Sequence, residues 1–192
     1  MDSPRRRNFA ALLDDRRGHL DEPHLQEQVL AIVAAMTAAF RAGKKVLWFG
    51  NGGSAADAQH LAAEFSGRFL RERQALNSEA LTVNTSALTA IANDMGYENI
   101  FVRQIEAFVQ PGDVVVGITT SGTSKNVVRG LQAAKKAGAT TVAFTGNGGG
   151  TVAELADLVL LGPHGYSAIV QEVHITMGHI VCDLVEQELL FG

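Results

Sequence analysis

The chain has 192 residues, about one domain at the usual ~100–200 residues each. Hydrophobic residues at 46% against 19% charged exclude a disordered chain. Twenty acidic against sixteen basic side chains, a formal charge of −4, leave no basic excess for binding nucleic acid.

Arg5, Arg6 and Arg7, followed by Asp14 and Asp15, read as a solvated helix start. The periodicity predicts helices over 4 to about 20 and over 23–42. Phe9, Leu12 and Leu13 mark the first. Pro23 opens the second, Gly43 stops it, and Leu25, Val29, Ile32, Val33, Met36 and Phe40 give it a wide apolar face. No strand precedes these two helices, so they need a surface to lie on, with another subunit one candidate. The longest apolar run, 29–40, is shorter than the ~20 residues that span a bilayer. Asp14, Asp15, Arg16 and Arg17 interrupt the stretch a signal peptide requires. The lone Cys182 excludes a disulfide framework or a cysteine-rich zinc site and suits a reducing compartment. A soluble cytoplasmic protein with no membrane partner is expected.

From residue 44 short apolar runs of strand length alternate with helical stretches. Strands are expected at 46–49, 80–83, 114–118, 141–144 and 158–161. Helices are expected at 55–65, 86–109 (broken near Gly96), 124–137, 151–156 and about 167–190. Strands apolar on both faces and separated by helices imply a parallel sheet covered on both sides. The expected fold class is therefore α/β, a doubly wound five-stranded parallel sheet. One domain over 1–192 is expected, with N-terminal helices over 1–43 and the α/β core over 44–192.

Ligands of such sheets bind beyond the carboxyl ends of the strands. Gly50, Asn51, Gly52, Gly53 and Ser54 join a strand to a helix there, which lets backbone amides approach an anion at a helix N-terminus. A tight structural turn explains the glycines almost as well. Thr119, Thr120, Ser121, Gly122, Thr123 and Ser124 occupy a second such turn, with more hydroxyls than one cap requires. Phosphate, with its several acceptor oxygens, is the natural ligand for such a cup. Gly146, Asn147, Gly148, Gly149 and Gly150 form a third loop without hydroxyls, read as a flexible connection.

His60 and Glu64 stand one turn apart on one helix face. Such a pair is a helix-surface contact, two ligands of a divalent metal, or a base with its orienting partner. By itself the pair favours the surface reading. On the last helix lie Gln171, Glu172, His174 and His179. Gln171 and His179 are about 12 Å apart along the axis and about 80° around it, so one metal would draw on both only at full stretch, and two subunits are an alternative. His174 lies off that line, packed or exposed. Asn93 and Asp94 end a helix or present a carboxylate at the strand tips, and spacing does not choose.

The run from Gly50 to His60 with Glu64 resembles the signature of the sedoheptulose 7-phosphate isomerases, or phosphoheptose isomerases, a branch of the sugar isomerase (SIS) superfamily. So do Ala92-Asn93-Asp94, Thr120-Ser121-Gly122-x-Ser124 and Gln171-Glu172-x-His174-x-x-x-x-His179. The resemblance runs in order from about residue 25 to the C-terminus. It implies a flavodoxin-like sandwich assembled as a homotetramer, with active sites at subunit interfaces and one zinc ion per subunit. It implies that His60, Glu64, Gln171 and His179 hold the metal. Asn51, Gly52, Gly53, Asn93 and Asp94 then contact the sugar, with Glu64 and Gln171 also in reach of substrate. Thr119, Thr120, Ser121 and Ser124 hold its phosphate, and Glu64 and His179 form the acid–base pair. The reaction so implied converts a phosphorylated 2-ketose to an aldose, the first step of nucleotide-activated heptose biosynthesis, which serves lipopolysaccharide among other glycoconjugates.

The chain departs from the pattern at Asn84, where members often carry Asp, and at Ala168 and Ile169, where some carry polar residues. Thr119 replaces a Ser, and the segment 74–79 lacks a common Pro. A non-enzymatic SIS tetramer that binds the replication initiator protein is the main alternative. Such proteins generally lack the counterparts of Glu64 and His179, and both are present here. Isomerisation of another sugar phosphate is a second alternative, since fold does not fix substrate. A sugar-phosphate-sensing regulator is a third, without a DNA-binding segment ahead of the domain.

Overall fold

The computed structural model describes residues 8–192, so Arg5, Arg6, Arg7 and the start of the first predicted helix lie outside the described residues. In chain order the elements are α1 (Phe9–Gly18), α2 (Pro23–Arg41), β1 (Val46–Gly50), α3 (Gly53–Ser66), β2 (Ser78–Ala80) and α4 (Thr85–Met95). A single 3-10 turn (Tyr97–Asn99) leads to α5 (Val102–Phe108), β3 (Val114–Thr119), α6 (Lys125–Lys136) and β4 (Thr140–Thr145). The chain closes with α7 (Gly150–Leu155), β5 (Leu158–Leu161) and α8 (Ser167–Phe191).

All strands are parallel, in the order β2-β1-β3-β4-β5. Alternation sends Val46, Trp48, Val114, Val116, Ile118, Val142 and Phe144 to one face, under α2, α3 and α8. Leu47, Phe49, Val115 and Ala143 go to the other, under α5, α6 and α7. Both faces are dry, which explains why β1 and β3 are buried along their whole length.

α2 finds its surface within the chain: Val29, Ile32, Val33 and Met36 are buried in the core beside α8 and β5. α1 buries no residue and is tied down by an Arg16–Glu172 pair at 2.8 Å. Among the described residues α8 alone is long and apolar enough to cross a membrane, but half of that stretch is buried inside the fold. Its apolarity belongs to a core helix.

Two expectations change. β2 covers Ser78–Ala80 rather than 80–83. Ser78 begins it because its hydroxyl accepts the Trp48 indole N–H at 3.0 Å and donates to the Val46 carbonyl at 3.0 Å, a polar role that hydropathy does not register. Leu81 adds one more bond to Trp48, and the chain then turns, leaving Val83 about half exposed. The glycine loop at 146–150 is a buttress and not a loose connection. A side chain on Gly122 would come within 2.1 Å of the Gly149 carbonyl, so the two loops pack backbone to backbone. The break near Gly96 falls where φ reaches +88°, a conformation that suits glycine at a helix end.

Candidate active site

The strand order reverses between β1 and β3, and there the tips of both strands open onto a cavity of about 280 Å³. Its walls are Asn51–Ser54 at the start of α3, Thr119, Thr120 and Ser124 before α6, and Ser167 and Gln171 on the first turns of α8. Three helix N-termini therefore point at one small volume, each contributing partial positive charge. Gly52 holds φ +57° and leaves α3 without a side-chain cap. Gly53 lets the Gln171 side chain lie against the start of α3: a Cβ there would stand 2.7 Å from the Gln171 amide, which would have to swing aside.

The hydroxyls are bonded to one another rather than to the helix they precede. Thr119 Oγ1 lies 3.0 Å from Ser124 Oγ and 3.4 Å from Ser121 Oγ. Thr120 donates to Ser167 Oγ at 3.1 Å. Ser124 occupies the N-cap of α6, yet its side chain makes no capping bond. Val127 N–H is taken by Asn126 Oδ1 at 3.0 Å, which leaves the amides of Lys125 and Asn126 for an incoming acceptor. A cup of hydroxyls and amides at helix N-termini suits a phosphate dianion.

Asn51 is held by a reciprocal amide pair. Its Nδ2 donates to Asn126 Oδ1 at 2.9 Å, and Asn126 Nδ2 donates back to Asn51 Oδ1 at 2.8 Å. Tyr97 adds a hydroxyl bond to the same Oδ1 at 3.0 Å. Asn126, Tyr97 and Ser167 were not singled out from the sequence. Only Ser167, placed at the start of the last helix, carried a signal that could have found it. Asn93 and Asp94 are exposed near the C-terminal end of α4, bonded to each other at 2.8 Å, and do not line the cavity. Asn84 caps α4, its Oδ1 accepting the Ala87 N–H at 3.0 Å, a role an aspartate fills equally well.

Further along α3 and α8 a second group assembles. His60 Nε2 lies 2.8 Å from His179 Nε2 and 3.4 Å from Glu64 Oε1. One ligand atom from each of the three residues falls within 4.8 Å of the other two. Two imidazole nitrogens and a carboxylate oxygen facing one point are a donor set that suits zinc. Burial, reinforced by His60, holds His179 below the ordinary imidazole value, while Glu64 opposes the shift. Its neutral, ligating form is thereby favoured. His174 is not part of this group: it is fully buried and bonds the Thr145 carbonyl through Nε2 at 2.9 Å.

The SIS domain family profile matches residues 19–146. The chain is 54% identical over 161 residues to the phosphoheptose isomerase of Aquifex aeolicus, covering 84% of each. It is 55% identical over 168 residues to that of Geotalea daltonii, covering 88% of this chain and 87% of the relative. The solved phosphoheptose isomerase of Neisseria gonorrhoeae superposes with a TM-score of 0.86 at 39% identity, over 93% of this chain and 96% of that one. With the sheet order, the cup and the His–Glu–His group already in place, these likenesses give one conclusion: the chain belongs to the phosphoheptose isomerases, a branch of the SIS domain family.

Proposed function

We propose that the chain isomerises sedoheptulose 7-phosphate, a 2-ketose, to the aldose D-glycero-D-manno-heptose 7-phosphate. The observation that carries this reading is the meeting of His60 and Glu64 with His179, across more than a hundred residues, in a chain that also builds a hydroxyl cup. The phosphate sits among Thr119, Thr120, Ser121 and Ser124 and the amides of Lys125 and Asn126 at the start of α6. Asn51, Gly52 and Gly53 face the sugar, joined by Asn93 and Asp94 once substrate and neighbouring subunits are in place.

At the reacting end Glu64 takes a proton from C1 and returns one to C2, passing through an enediol. His179, kept neutral by burial and by His60, exchanges the proton between the two oxygens. Such acid–base help is typically worth ~10²–10⁴-fold, so positioning and stabilisation of the enediolate supply the remainder. His60, Glu64 and His179 would hold a zinc ion, which when bound polarises the substrate carbonyl and fixes its two oxygens on one side.

Gln171 is the proposed fourth ligand. It packs against Gly53 at the cup of its own chain, about 12 Å along α8 from His179. It therefore serves the His60–Glu64–His179 group of a second copy, so that each active site joins the cup of one subunit to the metal group of another. A homotetramer is the proposed assembly. It is supported by α4, which buries none of its residues, and by the half-exposed Val83 and Phe108, which line an apolar groove of about 540 Å³ beside it. A cytoplasmic setting, in keeping with the buried thiol of Cys182, and a place at the head of heptose activation complete the proposal.

Proton NMR of the purified protein with sedoheptulose 7-phosphate tests it. New anomeric signals that vanish with a chelator and return with zinc are expected. An inert ketose under every metal condition would overturn the reading in favour of a binding protein.

A further inference from the structure

Between α3 and β2 the chain runs over residues 67–77 without regular structure, yet it is tied down from both sides. Glu186 of α8 is fully buried, and its carboxylate accepts four donors. Oε1 takes the Phe69 N–H at 2.9 Å and Arg73 Nε at 2.9 Å; Oε2 takes the N–H groups of Leu70 and Arg71, each at 3.0 Å. Arg73, itself nearly buried, then donates to the Glu64 carbonyl at 2.7 Å and the Phe65 carbonyl at 2.9 Å. Those carbonyls belong to the last turn of α3, which has no partners of its own for them. One ion pair thus ties α8, the connector and the end of α3 that carries Glu64 into a single rigid unit.

The connector's one aromatic side chain lands on His179. The rings of Phe69 and His179 stack with centroids 5.5 Å apart and planes 24° from parallel. His60 meets the same imidazole edge-on at 5.0 Å. His179 is therefore held between an apolar face and its ligating partners. Burying a carboxylate is costly unless every lone pair is satisfied. Here that cost is met at a point two turns from His179, by donors that fix the backbone bearing Phe69.

We propose that Phe69, set in place by the Glu186–Arg73 clamp, is a positioning residue for His179. It confines the imidazole to the orientation in which Nε2 faces His60 and Glu64, and it shields that side of the ring from water. The inference rests on the proposed role of His179 in metal holding and proton exchange.

The test uses the full chain with Phe69→Ala and Phe69→Tyr. Zinc affinity is read by competition with a chromophoric chelator, the ligand field by the visible spectrum of the cobalt-loaded protein, and turnover with sedoheptulose 7-phosphate. Phe69→Ala is expected to weaken zinc binding and to lower kcat, each by ~10-fold or more, as loss of a group that orients a ligand does. KM stays nearly constant and the cobalt spectrum changes shape. Phe69→Tyr, which keeps the aromatic face, restores all three. Glu186→Gln offers a single carbonyl oxygen to the same four donors and is expected to reproduce the alanine phenotype where it folds. The proposal is overturned if Phe69→Ala binds zinc and turns over like wild type, or if Phe69→Tyr is as impaired as Phe69→Ala. A wild-type protein that takes up no zinc and leaves the ketose untouched would instead remove the parent reading, and this inference with it.

Discussion

Leu61 packs directly over Gly178, and their contact sets the distance between the helices that carry the two site histidines. A Cβ on Gly178 would stand 2.7 Å from Leu61 Cδ1 and 2.8 Å from its Cδ2, and Leu61 is fully buried in the core. His60 and His179 are the chain neighbours of these two residues, so the close approach of α3 and α8 brings their imidazoles together at 2.8 Å.

Gly178→Ala is therefore expected to separate the helices. Overpacking of ~1–3 kcal/mol outweighs the gain of up to ~1 kcal/mol from replacing a helical glycine. The net loss in stability stays below about 2 kcal/mol. Zinc affinity falls more than this modest loss suggests, because the donors move apart. Chemical denaturation together with metal titration checks it; unchanged zinc affinity would count against the helix contact as the spacer.

Glu64→Gln keeps size and fold but removes the carboxylate proposed as base. Turnover is expected to drop ~10²–10⁴-fold. Steady-state kinetics beside a circular dichroism spectrum decide this, and wild-type turnover would end the assignment.

Mixing subunits tests the shared site. The Gln171→Ala and Glu64→Gln proteins are each expected to be nearly inactive. Refolded or co-expressed hybrids should regain activity, because some sites then pair an intact Gln171 with an intact Glu64. Absence of any recovery in proven hybrids would place the whole site within one chain.

Ser124→Ala removes a hydroxyl bonded to Thr119 at 3.0 Å without uncapping α6. One hydrogen bond to a charged ligand is worth ~1.5–3 kcal/mol, so KM for the phosphorylated ketose should rise ~10–100-fold. kcat should move little, since the reacting carbons lie at the other end. A matching loss of inhibition by inorganic phosphate would assign the effect to the cup.

His174 gives the fold an acid-sensitive element. Burial pushes its imidazole down to about 4, against a smaller upward pull from the Thr145 carbonyl. In the unfolded chain it titrates near ~6.5, so as pH falls the unfolded state gains the proton first. The contribution is complete above pH ~6.5 and declines toward pH ~4, by about 3 kcal/mol in all. Urea midpoints across that window should show the slope, and His174→Gln should flatten it.

Much of this protein is legible in its sequence because the determinants are local. Uninterrupted β-branched and apolar runs specify a buried parallel sheet, since both faces of such strands must be dry. Gly96 marks a helix break because φ +88° is open to glycine. The hydroxyl cup is legible for the same reason: its members sit within six consecutive residues, from the last residue of β3 to the N-cap of α6.

Only the tertiary structure decided which distant residues meet. Spacing on α8 does not say which of its side chains lies opposite His60, because helical periodicity fixes a face and not what that face meets. The register of α3 against α8, set by Leu61 over Gly178, made that choice. The Asn51–Asn126 amide pair, the burial of His174 and the stacking of Phe69 on His179 have the same origin. Each depends on packing between elements far apart in the chain, and pairwise packing leaves no period in a sequence to read.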